Sequence, residues 1–320
     1  MLRELVTRIK AGGEITYEEA KECSSLEGTK LFELLYWAGD LTRYYHGQKV
    51  DLCAIINAKS GRCSEDCQYC AQSAHYQTSA ESYPLLSAEQ VLVHAKEMEA
   101  AGVKRYALVT SGRGLGDRDF AQTLEIYDLL RRHTNLSLCA SFGIISLDKL
   151  RQLKEVGVTR YHHNLETNQS YFGKICTTHT YDERIATIKN AQQVGLQVCS
   201  GGIISLGETW DDRLELAFTL KALQVDSVPI NILHPIKGTP LESQPVMSPL
   251  DILKTIAIFR LIMPQTSLRI CGGRENALRD LQALVLTAGI DAVLVGNYLT
   301  TKGRTIAIDI QMIYDLGLNV

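Results

Sequence analysis

The sequence predicts an α/β protein, a (β/α)8 barrel of the TIM type with an N-terminal helical cap. Three observations point there. Eight short β-rich runs alternate with longer stretches whose apolar residues recur at helical spacing. Several of the helical stretches end in Gly, the residue that most often stops a helix. The length, 320 residues, is one that a barrel uses as a single unit. A doubly wound open sheet is the competing architecture, and the count of eight favours the barrel.

The elements follow in order. Residues 1–49 read as helical (TYEEAKECSSLEG, then TKLFELLYWAGDLTRYYHG) and form a cap rather than a separate domain. Residues 50–320 form the barrel. Its strands are VDLCAIINA (50–58), RYALVTS (105–111), LSLCASFG (136–143) and TRYHHNLE (159–166), then LQVCSGGIIS (196–205), SVPINILH (227–234), SLRICGG (267–273) and AVLVGNY (292–298). Segments such as SAEQVLVHAKEMEAAG, DFAQTLEIYDLLRRH and YDERIATIKNAQQVG carry an apolar stripe and supply the intervening helices. A C-terminal helical extension, TIAIDIQMIYDLGL, ends the chain. No low-complexity linker divides it, and no repeat exceeds the β/α alternation.

Composition narrows the function. Hydrophobic residues make up 45% and charged residues 22%, as in a globular enzyme. A formal net charge of −3 provides no electrostatic basis for binding nucleic acid or an anionic membrane. No window approaches about eighteen uninterrupted apolar residues, and MLRELVTRIKAGGEIT lacks the apolar core of a signal peptide. The expectation is a soluble, cytoplasmic protein. Nine cysteines, an odd number, then argue against a disulfide framework, because cytoplasmic thiols are kept reduced. Metal binding, catalysis or burial remain.

The stretch CSEDCQYC places Cys63, Cys67 and Cys70 in C-x3-C-x2-C spacing. It follows the first strand, where a barrel carries its active-site loops. Three thiolates hold three corners of a cubane iron–sulfur cluster, whereas the usual all-cysteine cluster takes four. The fourth iron is left for a chelating substrate. A zinc site or three buried thiols are the alternatives; structural zinc takes four protein ligands, and no second CxxC pair follows. With Tyr69 before the last cysteine, the pattern resembles the radical S-adenosylmethionine (SAM) superfamily. The resemblance implies a [4Fe–4S] cluster whose open iron is chelated by SAM, and a 5′-deoxyadenosyl radical that takes hydrogen from unactivated carbon.

Further blocks extend the likeness over nearly the whole chain: YHHNLETNQSYF with ICTTHTYDER, then VCSGGIISLGET, VPINILHPIKGTP and LRICGGRE. In order and spacing they resemble the biotin synthase family, which inserts sulfur between two unactivated carbons of dethiobiotin. The resemblance implies that Tyr69 lies near the adenine of SAM and that Arg184 pairs with its methionyl carboxylate. Glu166 stands where relatives commonly carry an aspartate near the ribose hydroxyls. Gly201 allows the backbone to approach SAM closely, and Ser111 and Gly112 face the methionyl amine. Asn164 and Asn231 suit a ureido ring, since both amide and ring display donors and acceptors; the alternative for each is a turn-stabilising residue. His162 and His163 are adjacent on a strand and point opposite ways, with one away from the lumen and neither a convincing metal ligand. His162 replaces the asparagine of the family pattern.

The family pattern also holds an auxiliary [2Fe–2S] cluster, on three cysteines and an arginine, that supplies the sulfur. Cys139, Cys199 and Arg269 match it, and Ala107 replaces the third cysteine, so the standard site is broken. Two extra thiols compensate. Cys53 lies on the first strand, and Cys271 shares a strand face with Arg269. Cys53, Cys139, Cys199 and Cys271 thus occupy alternate strands, which in a barrel feed common layers. The expectation is a rebuilt auxiliary cluster of the four-iron type with an extra sulfide. A [2Fe–2S] cluster is the alternative, and four thiols buried as small hydrophobes the plainer one. Cys63, Cys67, Cys70, Cys139, Cys199 and Cys271 are the expected catalytic cysteines, with Cys53 and Arg269 as further auxiliary-cluster ligands; Cys23 and Cys176 go to packing or exposure. The resemblance also implies a flavodoxin or ferredoxin reductant and a homodimer. Rival functions are a radical SAM isomerase or lyase, which a dethiobiotin binding test would separate, and a non-catalytic iron–sulfur protein, indifferent to SAM.

Overall fold

The computed structural model describes residues 2–320. Three helices, α1 (Leu2–Lys10), α2 (Tyr17–Ser24) and α3 (Gly28–His46), precede the first strand, β1 (Asp51–Lys59). Then come α4 (Ala88–Ala100), β2 (Arg105–Thr110), α5 (Asp117–His133), β3 (Ser137–Ser141), α6 (Leu147–Glu155) and β4 (Arg160–His162). Two helices, α7 (Gln169–Ile175) and α8 (Tyr181–Gln193), lead to β5 (Gln197–Cys199) and β6 (Gly202–Ile204). The second half adds α9 (Trp210–Ala222), β7 (Ser227–Ile232), α10 (Pro249–Ile262), β8 (Ser267–Ile270), α11 (Arg274–Leu278), α12 (Leu284–Thr287), β9 (Ala292–Leu294) and α13 (Ile306–Asp315).

All strand pairs are parallel, and the sheet closes. β1 pairs with both β2 and β9, while β5 and β6 both lie against β7. The eight barrel positions therefore hold nine strands, because the run at 196–205 breaks in two. The partner explains the break. Pro229 in β7 has no N–H to offer the ladder, and opposite it a Cβ on Gly201 would lie 2.0 Å from the Pro229 carbonyl oxygen. Backbone approaches backbone there, and only glycine fits.

Several strands are shorter than their β-rich runs. β4 stops at His162, and the chain then bends so that Leu165 and Glu166 N–H both reach Gly201 O. Glu166 takes a φ of 71°, a region costly for a side-chain-bearing residue. These bent C-terminal ends, rather than the strands proper, build the upper wall of the lumen.

Helix starts follow the local sequence. Thr16/Glu19, Ser87/Gln90, Thr180/Glu183 and Thr209/Asp212 form reciprocal capping boxes. The helix α10 presents no exposed face from Ile252 to Ile262, where every residue is buried, Lys254, Thr255 and Arg260 included. The reason is tertiary: α2 and α3 pack on its outer side. The N-terminal helices thus cover the flank of the helical ring at α9, α10 and α12. Two buried pairs tie the second half together, Arg260 with Asp291 and Arg274 with Asp309, the latter at 2.5 Å.

Candidate active site

One cavity of about 400 Å³ runs from the loop after β1 down the lumen. At its mouth lie Cys63, Cys67, Tyr69 and Cys70; at its deep end Cys53, Cys139, Cys199 and Cys271. All nine cysteines of the chain are free thiols.

The mouth is organised by its own loop. Cys63 and Ala74 backbones pair across it, with Ala74 N–H donating to Cys63 O at 2.7 Å, and Cys70 N–H closes a turn on Cys67 O at 2.9 Å. Backbone amides of Glu65 and Gly112 face the Cys63 sulfur, and those of Gln72 and Ser73 face Cys70. Burial still holds Cys63 above its ordinary value and pushes Cys70 up to about 11, so these thiols ionise when a metal displaces the proton. Three thiols on one wall, each addressable from a single cavity, fit a cubane with one corner left open.

Arg184 is buried beside this loop. Its Nη1 donates to Asn164 O at 2.8 Å and lies 3.7 Å from Glu166. Ser111, Gly112, Asn164, Glu166 and Asn231 also line the cavity. The Ser111 hydroxyl is engaged, donating to Gly61 O at 2.7 Å. Both asparagines serve the backbone as well: Asn164 Oδ1 accepts from Gly201 N–H at 3.1 Å, and Asn231 Oδ1 from Gly272 N–H at 3.2 Å. Each pins a strand end, and each Nδ2 also donates once, Asn164 to Glu166 Oε2 and Asn231 to Gly202 O, both at 3.3 Å, which leaves one N–H on each amide. Gly201 does not line the cavity; its missing Cβ serves the approach to Pro229 described above.

The deep end is strongly cationic. Arg105, Arg160 and Arg269 all face the lumen, against one nearby carboxylate, Asp51, which accepts from Arg269 Nη2 at 2.7 Å. Arg105 Nη1 lies 3.8 Å from Cys139 Sγ. Arg160 is held by Gln197 Oε1 at 3.0 and 3.2 Å. The Nε atoms of Arg105 and Arg269 are buried without a hydrogen-bond partner; Arg105 Nε has Asp51 Oδ2 at 3.8 Å, while that of Arg269 is in a costly state unless something anionic faces it. The thiols respond unequally. Burial pushes Cys53 up to about 12 and raises Cys271 still further. Cys199 is buried too, yet its hydrogen bond with His162, and the charges of His162, Arg269 and Arg160, outweigh burial and bring it down to about 6. No three of these sulfurs come within the 4.8 Å that a single ion needs, so their spread suits a larger group. An anionic iron–sulfur cluster fits this donor set and its orphaned guanidinium nitrogens.

Ala107 pairs with Ile55 and Cys139 in the neighbouring strands and lines the lumen without a ligand atom. His162 and His163 both line the cavity, against the expectation that one points away, because the chain bends after β4 ends at His162; His162 lies beside Cys199. His163 stacks on Tyr161 at 6.5 Å, and its Nε2 has no partner. Cys23 is buried in the N-terminal helices.

Sequence reasoning passed over Arg105 and Arg160. Period-2 spacing would have found both, two residues before Ala107 and His162. It also passed over Glu65 and His179, which meet at 2.5 Å beside Cys67; no local signal links them.

Comparison with known proteins agrees along the chain. Residues 58–220 match the Radical SAM superfamily and residues 229–319 the Biotin and Thiamin Synthesis associated domain. The biotin synthase of Pelotomaculum thermopropionicum is 58% identical over 320 residues, covering 100% of both chains. That of Heliobacterium modesticaldum is 55% identical, over 100% of this chain and 98% of its own. A solved methylornithine synthase superposes with a TM-score of 0.86 at 22% identity, covering 98% of this chain and 96% of its own. The FeFe-hydrogenase maturase of Carboxydothermus hydrogenoformans gives 0.84 at 16%, covering 99% and 78%. At those identities the two structures speak for the fold alone.

Proposed function

The chain belongs to the biotin synthase family, and from that premise we propose how its two sets of cysteines divide the reaction. The protein is a radical SAM sulfurtransferase that inserts sulfur into dethiobiotin. Full-length relatives named biotin synthase disfavour the isomerase, lyase and electron-carrier readings.

Cys63, Cys67 and Cys70 hold a [4Fe–4S] cluster, and Cys139, Cys199 and Cys271 hold three irons of a four-iron auxiliary cluster whose fourth iron carries an extra sulfide; ligation by Cys53 as well is the alternative, and it fills that corner. When bound, SAM and the first cluster supply hydrogen abstraction from unactivated carbon, and the second supplies sulfur. The chain's own residues do the rest. Arg184 holds the methionyl carboxylate by a charge-assisted contact, with Glu166 at the ribose, Tyr69 at the adenine, and Ser111 and Gly112 at the amine. Asn164 and Asn231 use their remaining amide capacity to orient the ureido ring between the two ends of the cavity. Apolar Ile55, Val109 and Leu294 on the wall keep water from the reacting carbons. Arg105, Arg160 and Arg269 offset the negative charge of thiolates and sulfide, with Arg269 kept as the further ligand that the family pattern implies.

One observation carries this reading: a single cavity has three thiols at its mouth and four at its depth, with unpartnered guanidinium nitrogens among the four. No helix among the described residues is long and apolar enough to cross a membrane. A cytoplasmic homodimer fed by flavodoxin or ferredoxin completes the proposal.

Counting iron and acid-labile sulfide tests it, in anaerobic protein beside a Cys63→Ala, Cys67→Ala, Cys70→Ala variant. About eight irons falling to about four is the expected result, with sulfide about one in excess. About six falling to about two means a two-iron auxiliary cluster, and about four falling to none means no auxiliary cluster at all.

A further inference from the structure

Beside the mouth of the cavity stands a cysteine that the reaction above does not use. Cys176 caps the end of α7, 109 residues after Cys67, yet its Sγ lies 3.8 Å from Cys67 Sγ. It is 3% exposed. The same sulfur is 3.3 Å from His179 Nδ1 and 3.6 Å from Thr178 Oγ1.

Ligand and hydrogen-bond donor are the two roles open to it. Cys67, Cys176 and His179 offer atoms within 4.8 Å of one another, close enough for a metal ion. The bonds of His179 decide against one. Arg184 Nε donates to His179 Nε2 at 3.0 Å, which occupies that nitrogen's lone pair. The ring proton therefore sits on Nδ1 and points to Glu65 Oε2 at 2.5 Å. A protonated nitrogen cannot bind a metal.

We infer that Cys176 donates its S–H to the iron-bound thiolate of Cys67 and so raises the reduction potential of the cluster on Cys63, Cys67 and Cys70. In the iron-free chain Cys67 is the donor and Cys176 the acceptor. Once Cys67 binds iron it has lost its proton and only accepts, so the hydrogen in the contact belongs to Cys176. The sulfur of Cys176 packs against the His179 ring, 3.3 Å from Nδ1 and 3.8 Å from Nε2, and that ring is held by Glu65 and Arg184. The pattern is consistent around the loop: Cys63 and Cys70 face backbone amides, and Cys67 faces a thiol. A hydrogen bond to a ligand sulfur favours the more negative, reduced cluster and moves its potential up. Burial keeps water from replacing the donor. Cys176 is a positioning residue in this scheme, and its role rests on assigning the cluster to the three loop cysteines.

The test is an EPR-monitored redox titration of anaerobic, SAM-free protein, with iron counted in every sample. The midpoint is expected to fall in Cys176→Ala and to return toward the parent value in Cys176→Ser, whose O–H restores a donor. Cys176→Val, which fills the space without a donor, is expected to fall with Cys176→Ala and carries the test where the alanine variant loads poorly. An identical midpoint in all three variants and the parent overturns the inference. Loss of the loop cluster's irons from Cys176→Ser overturns it too, by making Cys176 a ligand. If the titrated signal survives in the Cys63→Ala, Cys67→Ala, Cys70→Ala variant, the cluster assignment fails instead, and the two failures are told apart.

Discussion

The mouth and the depth of this cavity use cysteine in opposite ways. At the mouth, three thiols within eight residues share one loop, Cys63 and Cys70 are partly exposed, and most of their hydrogen bonds come from neighbouring backbone. In the depth, four thiols come from β1, β3, β5 and the end of β8, each no more than 5% exposed, and guanidinium groups replace backbone amides. The contrast teaches how each site is bound to its task. A loop can leave one coordination corner open and admit a cosubstrate. Strands hold geometry more rigidly than loops, which suits a group that must survive beside reactive chemistry.

The largest effect that would sharpen the contrast is at the mouth. The Cys63→Ala, Cys67→Ala, Cys70→Ala variant is expected to lose 5′-deoxyadenosine and biotin together, measured by chromatography of a single reaction. Next come single Cys139→Ala, Cys199→Ala and Cys271→Ala variants. They are expected to lose biotin while still cleaving SAM; normal biotin output from any one of them removes that residue from the ligand set. Arg184→Ala should leave the iron content unchanged and raise the KM for SAM roughly 10- to 100-fold, the equivalent of a charge-assisted hydrogen bond of ~1.5–3 kcal/mol. An unchanged KM would take Arg184 out of the SAM site. The smallest effect is Asp51→Asn. Arg269 is buried and Asp51 half-buried, and Asn keeps an oxygen for the Arg269 Nη2 bond, so the change should cost on the order of 1–3 kcal/mol of stability. Chemical denaturation measures it, and a larger loss would mean the depth is held by this ion pair rather than by packing.

Legibility in the sequence follows the same divide. The C-x3-C-x2-C loop is readable because its ligands are neighbours and spacing alone constrains them. The barrel is readable because strand and helix periods alternate along the chain. Strand ends are not: β4 stops at His162 although the expected strand runs to Glu166, because Glu166 and Leu165 turn to meet Gly201. The break between β5 and β6 is likewise set by Pro229, a residue in another strand. From Ile252 to Ile262 α10 is buried all round, Lys254 and Arg260 included, and only the packing of α2 and α3 on it explains why. The closeness of Cys176 to Cys67 could not be read at all, since α7 and the cysteine loop meet only in the fold.

The sequence by itself determined the alternation that makes a barrel, the C-x3-C-x2-C loop after the first strand, and the placing of Cys53, Cys139, Cys199, Cys271 and Arg269 on alternate strands. Tertiary structure alone decided which of them share a space: four thiols with Arg105, Arg160 and Arg269 in one lumen, and Glu65, His179 and Cys176 around Cys67. The reason is physical. Local spacing acts through bonds along the chain, whereas the distances between strands and loops far apart in sequence exist only once the barrel has closed.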